Sequence, residues 1–264
     1  MREERGYSGK EWKMVKVLLH GCGGRMGKMI TGLAKDDPEI KIVAGVDVLG
    51  GQCDEYPVYT ALADVKEEAD VVVDFAVAAA MDGLMDYCAE KNLPVVLCTT
   101  GLSEAQEAKV DELAKKVAVL KSANMSLGVN VILKLLADAT KALADNGYDI
   151  EIVEKHHNQK VDAPSGTALA MADAINAAAD GKYEYVYDRS ERRAKRPENE
   201  IGISSLRGGN LAGIHEVYYI GTDEIVEVRH TANSRAIFGK GAISAAKFLA
   251  GKPAGRYSMA DVIG

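Results

Sequence analysis

The segment "EKHHNQKVDAPSGTAL", residues 154–169, concentrates side chains that bind anions and transfer protons. His156 and His157 are adjacent, and each imidazole can give or take a proton near neutral pH. Lys160 adds a full positive charge shortly after them. These groups together suit a small substrate with two carboxylates that must receive a proton during the reaction.

A predicted helix start lies at the end of the same segment. Ser165, Gly166 and Thr167 precede the apolar run "ALAMADAI", with Pro164 at the entry. Their backbone N–H groups are among the donors that a helix leaves unpaired at its start, where a carboxylate binds well. We predict that Lys160 and this helix start hold the carboxylates of the substrate.

Each of these residues also has a purely structural interpretation. One ring of a His-His pair on a strand is often buried and the other exposed, and a lone lysine is usually solvated. Ser165 and Thr167 can simply cap the helix. We interpret Asp162 as mainly structural, either bracing the turn or orienting Lys160. Three further histidines stand alone in the sequence and are interpreted as structural or surface residues: His20, His215 and His230.

A metal site is a second alternative for the two histidines, and it is more specific than the structural interpretation. Adjacent histidines lack the i, i+4 helical spacing of zinc motifs, and we identify no Cys or Glu nearby as a third ligand. We therefore predict no metal at this site.

A glycine-rich turn, "HGCGGRMG" at residues 20–27, lies where a predicted strand passes into a helix. Such a turn lets the backbone approach a pyrophosphate, which the helix start then stabilises. The glycine spacing departs from strict G-x-G-x-x-G, but Asp47 follows at the end of the next strand, where a carboxylate accepts hydrogen bonds from a ribose. Together these features predict a dinucleotide site. The alternative is that the glycines only form a tight turn and Asp47 caps a loop.

The residues around Asp47 bear on the choice between NADH and NADPH. Val48 follows it rather than an arginine, and the carboxylate would repel a 2′-phosphate. We therefore expect NADH to be accepted at least as well as NADPH. Arg25 can still contact a phosphate, so exclusive use of NADH does not follow.

Composition narrows the class of protein. The chain has 264 residues, is 47% hydrophobic and carries a net charge of −7 without clustered Lys or Arg, so neither nucleic acid nor a membrane surface is the expected partner. No apolar run is long enough for a membrane span, and we expect a cytoplasmic protein. The four cysteines are widely spaced and predict neither a zinc site nor a disulfide framework.

The predicted elements place both motifs in an α/β architecture. After Met14, β-branched runs at residues 15–20, 40–47, 70–75, 94–100 and 117–123 alternate with helical segments, which predicts a Rossmann-type doubly wound parallel sheet. From about Ser126 a long helix, a strand, a second helix and then neighbouring strands predict a second α+β domain with a mixed or antiparallel sheet. A helix at 236–251 can return to the first domain.

We divide the chain accordingly. Residues 1–13 are predicted to form a flexible arm, 14–126 plus 236–264 the dinucleotide-binding domain, and 127–235 the substrate-binding domain.

Four stretches carry a resemblance to a known family: "GCGGRMG", "CTTG", "SANMSLGVNV" and "EIVEKHHNQKVDAPSGTALAMADAI". From Val15 to the C-terminus the chain resembles the bacterial 4-hydroxy-tetrahydrodipicolinate reductases, also called dihydrodipicolinate reductases. The resemblance implies NAD(P)H-dependent reduction of 4-hydroxy-tetrahydrodipicolinate to tetrahydrodipicolinate, in the diaminopimelate route to lysine. It also implies a homotetramer built through the sheet of the second domain.

The resemblance implies roles for individual residues. His156 resembles the proton donor and Lys160 the partner that assists the transfer and holds the substrate; His157, Gly166 and Thr167 resemble further substrate contacts, and Ser165 joins them from the helix start. The implied cofactor contacts are Gly21, Cys22, Gly23, Gly24, Arg25, Met26, Asp47, Cys98, Thr99, Thr100, Ser122, Ala123, Asn124 and Met125.

Some positions depart from the common family pattern. Asn158 and Gln159 replace a basic pair, which lowers the positive charge near Lys160. Three changes concern the cofactor site: Cys98 stands in place of glycine, Met125 in place of an aromatic residue, and Asp47 in place of glutamate.

The hypothesis is that a nicotinamide at the carboxyl edge of the parallel sheet delivers hydride across an interdomain cleft, with hinges near Ser126 and Ala236. Two alternatives remain open. One is a dehydrogenase of another small carboxylate, such as aspartate, and the other is a non-catalytic dinucleotide sensor.

Overall fold

The computed structural model describes residues 14–122 and 124–264, so the predicted arm at 1–13 and the predicted cofactor contact Ala123 lie outside the described residues. The chain divides into two compact units. The first extends to Lys121 and includes Ala242–Tyr257, and the second comprises Ser122–Gly241 and Ser258–Gly264. The sequence predicts that the chain passes between the domains after residue 126 and before residue 236, and it assigns residues 258–264 to the first domain, whereas in the structure they belong to the second unit.

The first unit is built on seven strands, with all elements numbered in chain order. Its strands are β1 (Val15–His20), β2 (Ile40–Val46), β3 (Val58–Tyr59), β4 (Val71–Asp74), β5 (Val95–Leu97), β6 (Ala118–Lys121) and β12 (Gly255–Tyr257). Its helices are α1 (Arg25–Lys35), α2 (Met81–Lys91), α3 (Glu104–Ala114) and most of α6 (Ala236–Leu249). Two short 3₁₀ turns lie at Leu62–Asp64 and Ala78–Ala80.

All pairs in this sheet are parallel, in the order β12-β6-β5-β4-β1-β2-β3. The chain winds outward in both directions from β1, so the carboxyl ends of β1 and β4 flank the switch point where ligands bind in such sheets. Val71, Val72 and Val73 are at most 1% exposed, because helices cover both faces of the sheet. The prediction of a doubly wound parallel sheet is confirmed.

The second unit contains a five-stranded mixed sheet. Its elements are α4 (Leu127–Leu143), β7 (Asp149–His156), α5 (Gly166–Ala178), β8 (Glu184–Val186), β9 (Glu200–Arg207), β10 (Gly213–Ile220), β11 (Ile225–Ala232) and α7 (Met259–Ile263). The strand order is β11-β10-β7-β9-β8, with antiparallel pairs on one side of β7 and parallel pairs on the other. The prediction of a second α+β domain with a mixed sheet is confirmed.

Strand β7 carries the alternation that places the polar cluster. Ile150, Ile152, Glu154 and His156 are all buried, whereas the residues between them are partly exposed. The two isoleucines join a core with residues of α4 and α5, so the same face carries Glu154 and His156 at its end. The sheet therefore fixes both polar side chains from one strand. No helix within residues 14–122 and 124–264 is long and apolar enough to cross a membrane.

Candidate active site

The glycine turn of the first unit joins β1 to α1. Gly21 has φ +79°, and a Cβ there would lie 2.7 Å from the carbonyl oxygen of Phe75. A Cβ at Gly27 would lie 2.4 Å from the carbonyl oxygen of Gly21, so glycine allows the helix to pack directly on the turn. Gly24 is the N-cap residue of α1, and within the described chain no side chain caps this helix start. The backbone N–H groups of Arg25 and Met26 are therefore available to an anion.

Asp47 follows β2 and faces this turn. Its Oδ2 accepts a hydrogen bond from the backbone N–H of Gly23 at 3.0 Å, and its Oδ1 accepts one from Leu49 at 3.1 Å. A cavity of about 480 Å³ lies beside the turn, lined by Cys22, Gly23, Gly24, Asp47 and Tyr56 among others. This volume falls in the range of small-ligand sites. The arrangement fits the adenosine half of a dinucleotide.

The turn after β5 contributes a polar group to the same unit. Thr99 is 6% exposed, and its Oγ1 has no hydrogen-bond partner among the described residues. Buried hydroxyls are nearly always paired, so this one is suited to a bound ligand. Burial raises the pKa of the Cys98 thiol well above its ordinary value, so Cys98 is a neutral side chain rather than a nucleophile. Thr100 is exposed beyond them.

The segment before α4 belongs to the second unit and is held by side-chain hydrogen bonds. Ser122 Oγ donates to the carbonyl oxygen of Asn124 at 3.2 Å, and Asn130 Nδ2 donates to the same oxygen at 2.8 Å. Asn124 Oδ1 accepts from the backbone N–H of Ser126 at 2.8 Å. Met125 is 5% exposed. Three of the predicted contacts of this segment are thus fixed in position.

His156 lies at the carboxyl end of β7 and is 8% exposed. Its Nδ1 is 2.5 Å from Oε2 of Glu154, which is fully buried. Arg207 faces the same carboxylate and donates to both of its oxygens, at 2.9 and 2.7 Å. The register of the sheet explains this cluster, because His156 pairs with Arg207 on β9.

The charges of this cluster follow from its environment. Burial alone would raise the pKa of Glu154, but hydrogen bonds from Arg207, Ser205 and His156 lower it to about 2. Burial lowers the pKa of His156, and Glu154 opposes that effect. A negative ligand beside the imidazole would favour its protonated form further.

A second imidazole packs edge-on against the first. The ring centroids of His156 and His215 are 5.1 Å apart. Burial lowers the pKa of His215 to about 4, so this ring is neutral near pH 7. His215 Nε2 lies 3.0 Å from Ser165 Oγ, which also accepts from the backbone N–H of Ala168 and so caps α5. His215 is therefore a neutral neighbour of His156, and the ring centroid of His230 lies 6.2 Å from that of His215.

Lys160 lies in the turn after β7, with 20% of its side chain exposed. Its Nζ is 2.7 and 2.8 Å from the two carboxylate oxygens of Asp162. The hydrogen bond from Lys160 lowers the pKa of Asp162. Arg207 also donates to the carbonyl oxygen of Asp162 at 2.7 Å. Of the two structural roles considered for Asp162, its contacts with Lys160 fit the one in which it orients that side chain.

The start of α5 differs from the prediction in one respect. The side chain of Ser165 is engaged with His215 and Ala168, and its backbone N–H donates to Glu154 Oε1 at 3.1 Å. Gly166 and Thr167 supply the next N–H groups, which a helix leaves without internal partners. Thr167 Oγ1 accepts a hydrogen bond from Asn124 Nδ2 at 3.0 Å.

His157 is partly exposed, and its backbone N–H donates to the carbonyl oxygen of Leu211 at 2.9 Å. The structure therefore ties the turn that carries His157 to the loop between β9 and β10.

The expectation that no glutamate lies near the histidines is wrong. Glu154 contacts His156 directly, because residues i and i+2 of a strand lie on one face. Its carboxylate is occupied by protein donors, however. Within the described ranges, no three His, Cys, Asp or Glu side chains are grouped as a metal site.

Two members of the cluster, Glu154 and Arg207, have no role in the sequence interpretation, and a third, His215, is interpreted there only as a structural or surface residue. The strand alternation of "EIVEKHH" contained the signal for Glu154. The other two come from neighbouring strands, and the pairing of His215 with Glu154 across β10 and β7 is a tertiary relationship.

Comparison with known proteins gives concordant matches. The family models described as dihydrodipicolinate reductase, N-terminus and C-terminus, match residues 15–125 and 128–263. The 4-hydroxy-tetrahydrodipicolinate reductase of Caldanaerobacter subterraneus subsp. tengcongensis is 50% identical over 250 residues, covering 95% of this chain and 98% of that protein. The enzyme of the same name from Clostridium tetani is 48% identical over 246 residues, covering 93% and 96%.

Among solved structures, the fold is similar to a dipicolinate-bound dihydrodipicolinate reductase from Paenisporosarcina sp. TG-14. The TM-score is 0.78 at 23% identity, and the match covers 93% of this chain and 97% of that one. This likeness concerns the fold.

Proposed function

The chain belongs to the dihydrodipicolinate reductase family, and on that premise we propose that it reduces 4-hydroxy-tetrahydrodipicolinate to tetrahydrodipicolinate. NAD(P)H supplies the hydride when bound. The overall reaction consumes one substrate, one NAD(P)H and one proton, and it yields tetrahydrodipicolinate, NAD(P)⁺ and water. The protein must therefore hold a dinucleotide, hold a dicarboxylate and provide a proton.

The first unit fits the dinucleotide. The uncapped start of α1 and the glycine turn accommodate a pyrophosphate, since any side chain at Gly21 would collide with Phe75. Asp47 is fixed by Gly23 and its carboxylate accepts ribose hydroxyl donors. Thr99 offers an unpaired buried hydroxyl. We propose that both NADH and NADPH bind here, with NADH accepted at least as well because Asp47 repels a 2′-phosphate.

The second unit fits the dicarboxylate. Lys160 presents an ammonium group oriented by Asp162, and a substrate carboxylate competes for it. The N–H groups of Gly166 and Thr167 bind the other carboxylate, as at other helix starts. Since the polar groups of Ser165 are occupied by His215, Ala168 and Glu154, we propose that Ser165 shapes this site. His157 lies in the adjoining turn and contributes a further contact.

The proton donor is His156, and its pairing with Glu154 is the observation that carries this assignment. Bound carboxylates raise the fraction of protonated imidazole, which then gives its Nε2 proton to the electron pair left by hydride addition. Lys160 holds the substrate during the transfer and stabilises its developing negative charge. Because the ring of His215 is neutral near pH 7, it adds no second positive charge beside the proton donor.

Two further properties complete the proposal. The chain assembles as a homotetramer through the sheet of the second unit, where Leu206 and Ile225 are 50% and 62% exposed on β9 and β11. It works in the cytoplasm, where the NAD(P)H pool resides and where its four free thiols stay reduced.

The testing experiment is oxidation of NADH and NADPH, followed with and without freshly prepared 4-hydroxy-tetrahydrodipicolinate. We expect oxidation to depend on the substrate and tetrahydrodipicolinate to form in equal amount to the oxidised cofactor. Oxidation with an aspartate-derived substrate instead would favour the alternative dehydrogenase. Tight cofactor binding without turnover of any of these compounds would favour a dinucleotide sensor.

A further inference from the structure

Glu154 has a hydrogen-bonding arrangement that the reaction assigned above does not by itself require. Its side chain is fully buried. One oxygen, Oε2, contacts His156 Nδ1 at 2.5 Å and Arg207 Nη1 at 2.9 Å. The other, Oε1, accepts from Arg207 Nη2 at 2.7 Å and from the backbone N–H of Ser165 at 3.1 Å. Both carboxylate oxygens thus accept from protein donors, and the Ser205 side chain donates to the same carboxylate.

This carboxylate links the proton donor to the anion site. Ser165 is the residue that caps α5, and its N–H is held by Glu154. Gly166 and Thr167, whose N–H groups we assign to a substrate carboxylate, follow directly. A change in the position of Glu154 therefore moves both the imidazole and the helix start.

The contact also fixes which ring nitrogen exchanges a proton. An ionised carboxylate only accepts hydrogen bonds, so Nδ1 of His156 must carry a hydrogen. Nε2 is then the nitrogen that gives its proton away. Gly213 leaves room at that atom, because a Cβ at Gly213 would lie 3.0 Å from Nε2.

We propose that Glu154 is the positioning residue of the proton donor: it holds His156 with Nε2 directed at the substrate and stabilises the imidazolium form. This inference rests on the proposed function. In the transfer the Nε2–H bond breaks and the proton joins the substrate, while the Nδ1 hydrogen remains with His156, bonded to Glu154. Arg207 keeps Glu154 ionised, and neither residue gains or loses a proton.

The groups that face His156 come from four elements. Glu154 lies on β7, Arg207 on β9, His215 on β10, and Lys160 in the turn after β7. Glu154 raises the pKa of His156, whereas burial, Lys160 and Arg207 lower it. Removing the charge of Glu154 therefore lowers the pKa of His156 further and reduces the protonated fraction at a given pH.

The variant Glu154→Gln tests this role, because it keeps the shape of the side chain and removes its charge. We expect kcat to fall by roughly 10- to 100-fold, a part of the effect that a positioned general acid provides. We also expect the alkaline limb of the kcat/KM profile to move to lower pH, while the dissociation constant of NADH stays unchanged. Glu154→Asp retains the charge, and we expect it to return the limb towards its original pH.

Glu216→Gln is the matched control. Glu216 is 3% exposed on β10 and pairs with Lys155 at 2.8 Å, so this variant also loses the charge of a buried ion pair in the same sheet. We expect its pH profile to match that of the unaltered protein. A second readout is the ¹⁵N spectrum of His156 with pyridine-2,6-dicarboxylate bound, in which Glu154→Gln should show partial loss of the Nδ1-protonated form.

The outcomes separate this proposal from the proposed function. If the unaltered protein does not turn over the substrate, the proposed function fails. If it does, and Glu154→Gln retains both its rate and its pH profile, only the positioning role is overturned. Should Glu154→Gln fail to fold, Glu154→Asp decides, because it keeps the charge but withdraws the carboxylate from Nδ1 by one methylene: the role predicts a lower kcat, and an unchanged kcat together with an unchanged ¹⁵N spectrum of His156 contradicts it.

Discussion

The side-chain amide of Asn124 donates a hydrogen bond to the hydroxyl of Thr167 at 3.0 Å. Asn124 belongs to the segment assigned to the cofactor, and Thr167 to the helix start assigned to the substrate. Asn130 Nδ2 donates to the carbonyl oxygen of Asn124, and the backbone N–H of Ser126 donates to Asn124 Oδ1, at 2.8 Å each. The position of one assigned contact therefore depends on the other.

This contact predicts energetic coupling. Thr167→Val removes the acceptor and should raise the KM for the substrate by roughly 5- to 10-fold, as expected for loss of one hydrogen bond. Asn124→Ala should do so to a similar extent. We expect the double variant to be less impaired than the product of the two single effects, with a coupling of about 1 kcal/mol in kcat/KM. Strictly additive effects would show that the contact has no role in binding.

Lys160 is predicted to act on the substrate rather than on the cofactor. Loss of a charged hydrogen bond costs about 1.5–3 kcal/mol, so Lys160→Ala should lower kcat/KM for the substrate by roughly 10- to 100-fold. The dissociation constant of NADH, measured by fluorescence titration, should remain the same. Lys182→Ala is the control, since Lys182 pairs with Asp145 at 2.6 Å in the same unit. Equal loss in both variants would refute a specific role for Lys160.

Asp47 is predicted to set the balance between the two cofactors. Asp47→Asn keeps an acceptor for the Gly23 N–H but removes the charge that repels a 2′-phosphate. The ratio of NADPH to NADH affinity should therefore rise, by several-fold at low salt. Asp111→Asn, on the exposed surface of α3, removes the same charge and should leave the ratio unchanged. A ratio that is the same in Asp47→Asn and in the unaltered protein would contradict this assignment.

How much of this site could be predicted from sequence differs between its parts. β1 has the predicted bounds, because an apolar run before a glycine turn is a strong local signal. The strands β8 and β12 have three residues each and were not predicted, since three residues carry no clear period. Local sequence pattern is therefore enough to predict long elements, but it is insufficient for the short strands at the edges of the two sheets.

The charged partners of His156 show the same limit. Arg207 is 53 positions from Glu154 in the chain, and only the pairing of β7 with β9 brings them together. Single-sequence reasoning therefore finds the histidines, the lysine and the helix start, which are neighbours along the chain. It cannot find Arg207 and His215, which come from other strands of the sheet.

His215 predicts how stability depends on pH. Its pKa in the folded protein is about 4, below the ordinary 6.5, so the unfolded chain binds the proton more readily between these values. The contribution of His215 to the free energy of unfolding is complete above about pH 6.5 and is lost as the pH falls towards 4. Between pH 7 and pH 5 the free energy of unfolding should therefore fall by about 2 kcal/mol.

Urea unfolding of the unaltered protein and of His215→Asn at pH 7 and pH 5 measures this contribution. The variant should lose less stability over this interval than the unaltered protein. An equal loss of stability in both proteins would show that His215 does not cause this pH dependence.

His156 as proton donor is the central claim, and replacing the imidazole with a small external acid tests it most directly. His156→Ala should lower substrate-dependent turnover by about 10²- to 10⁴-fold, with little change in NADH affinity. Added imidazole should restore part of that turnover, in proportion to its protonated concentration, because it takes the place of the missing ring. If His156→Ala instead turns over the substrate as fast as the unaltered protein, with or without imidazole, another group delivers the proton and the account is wrong.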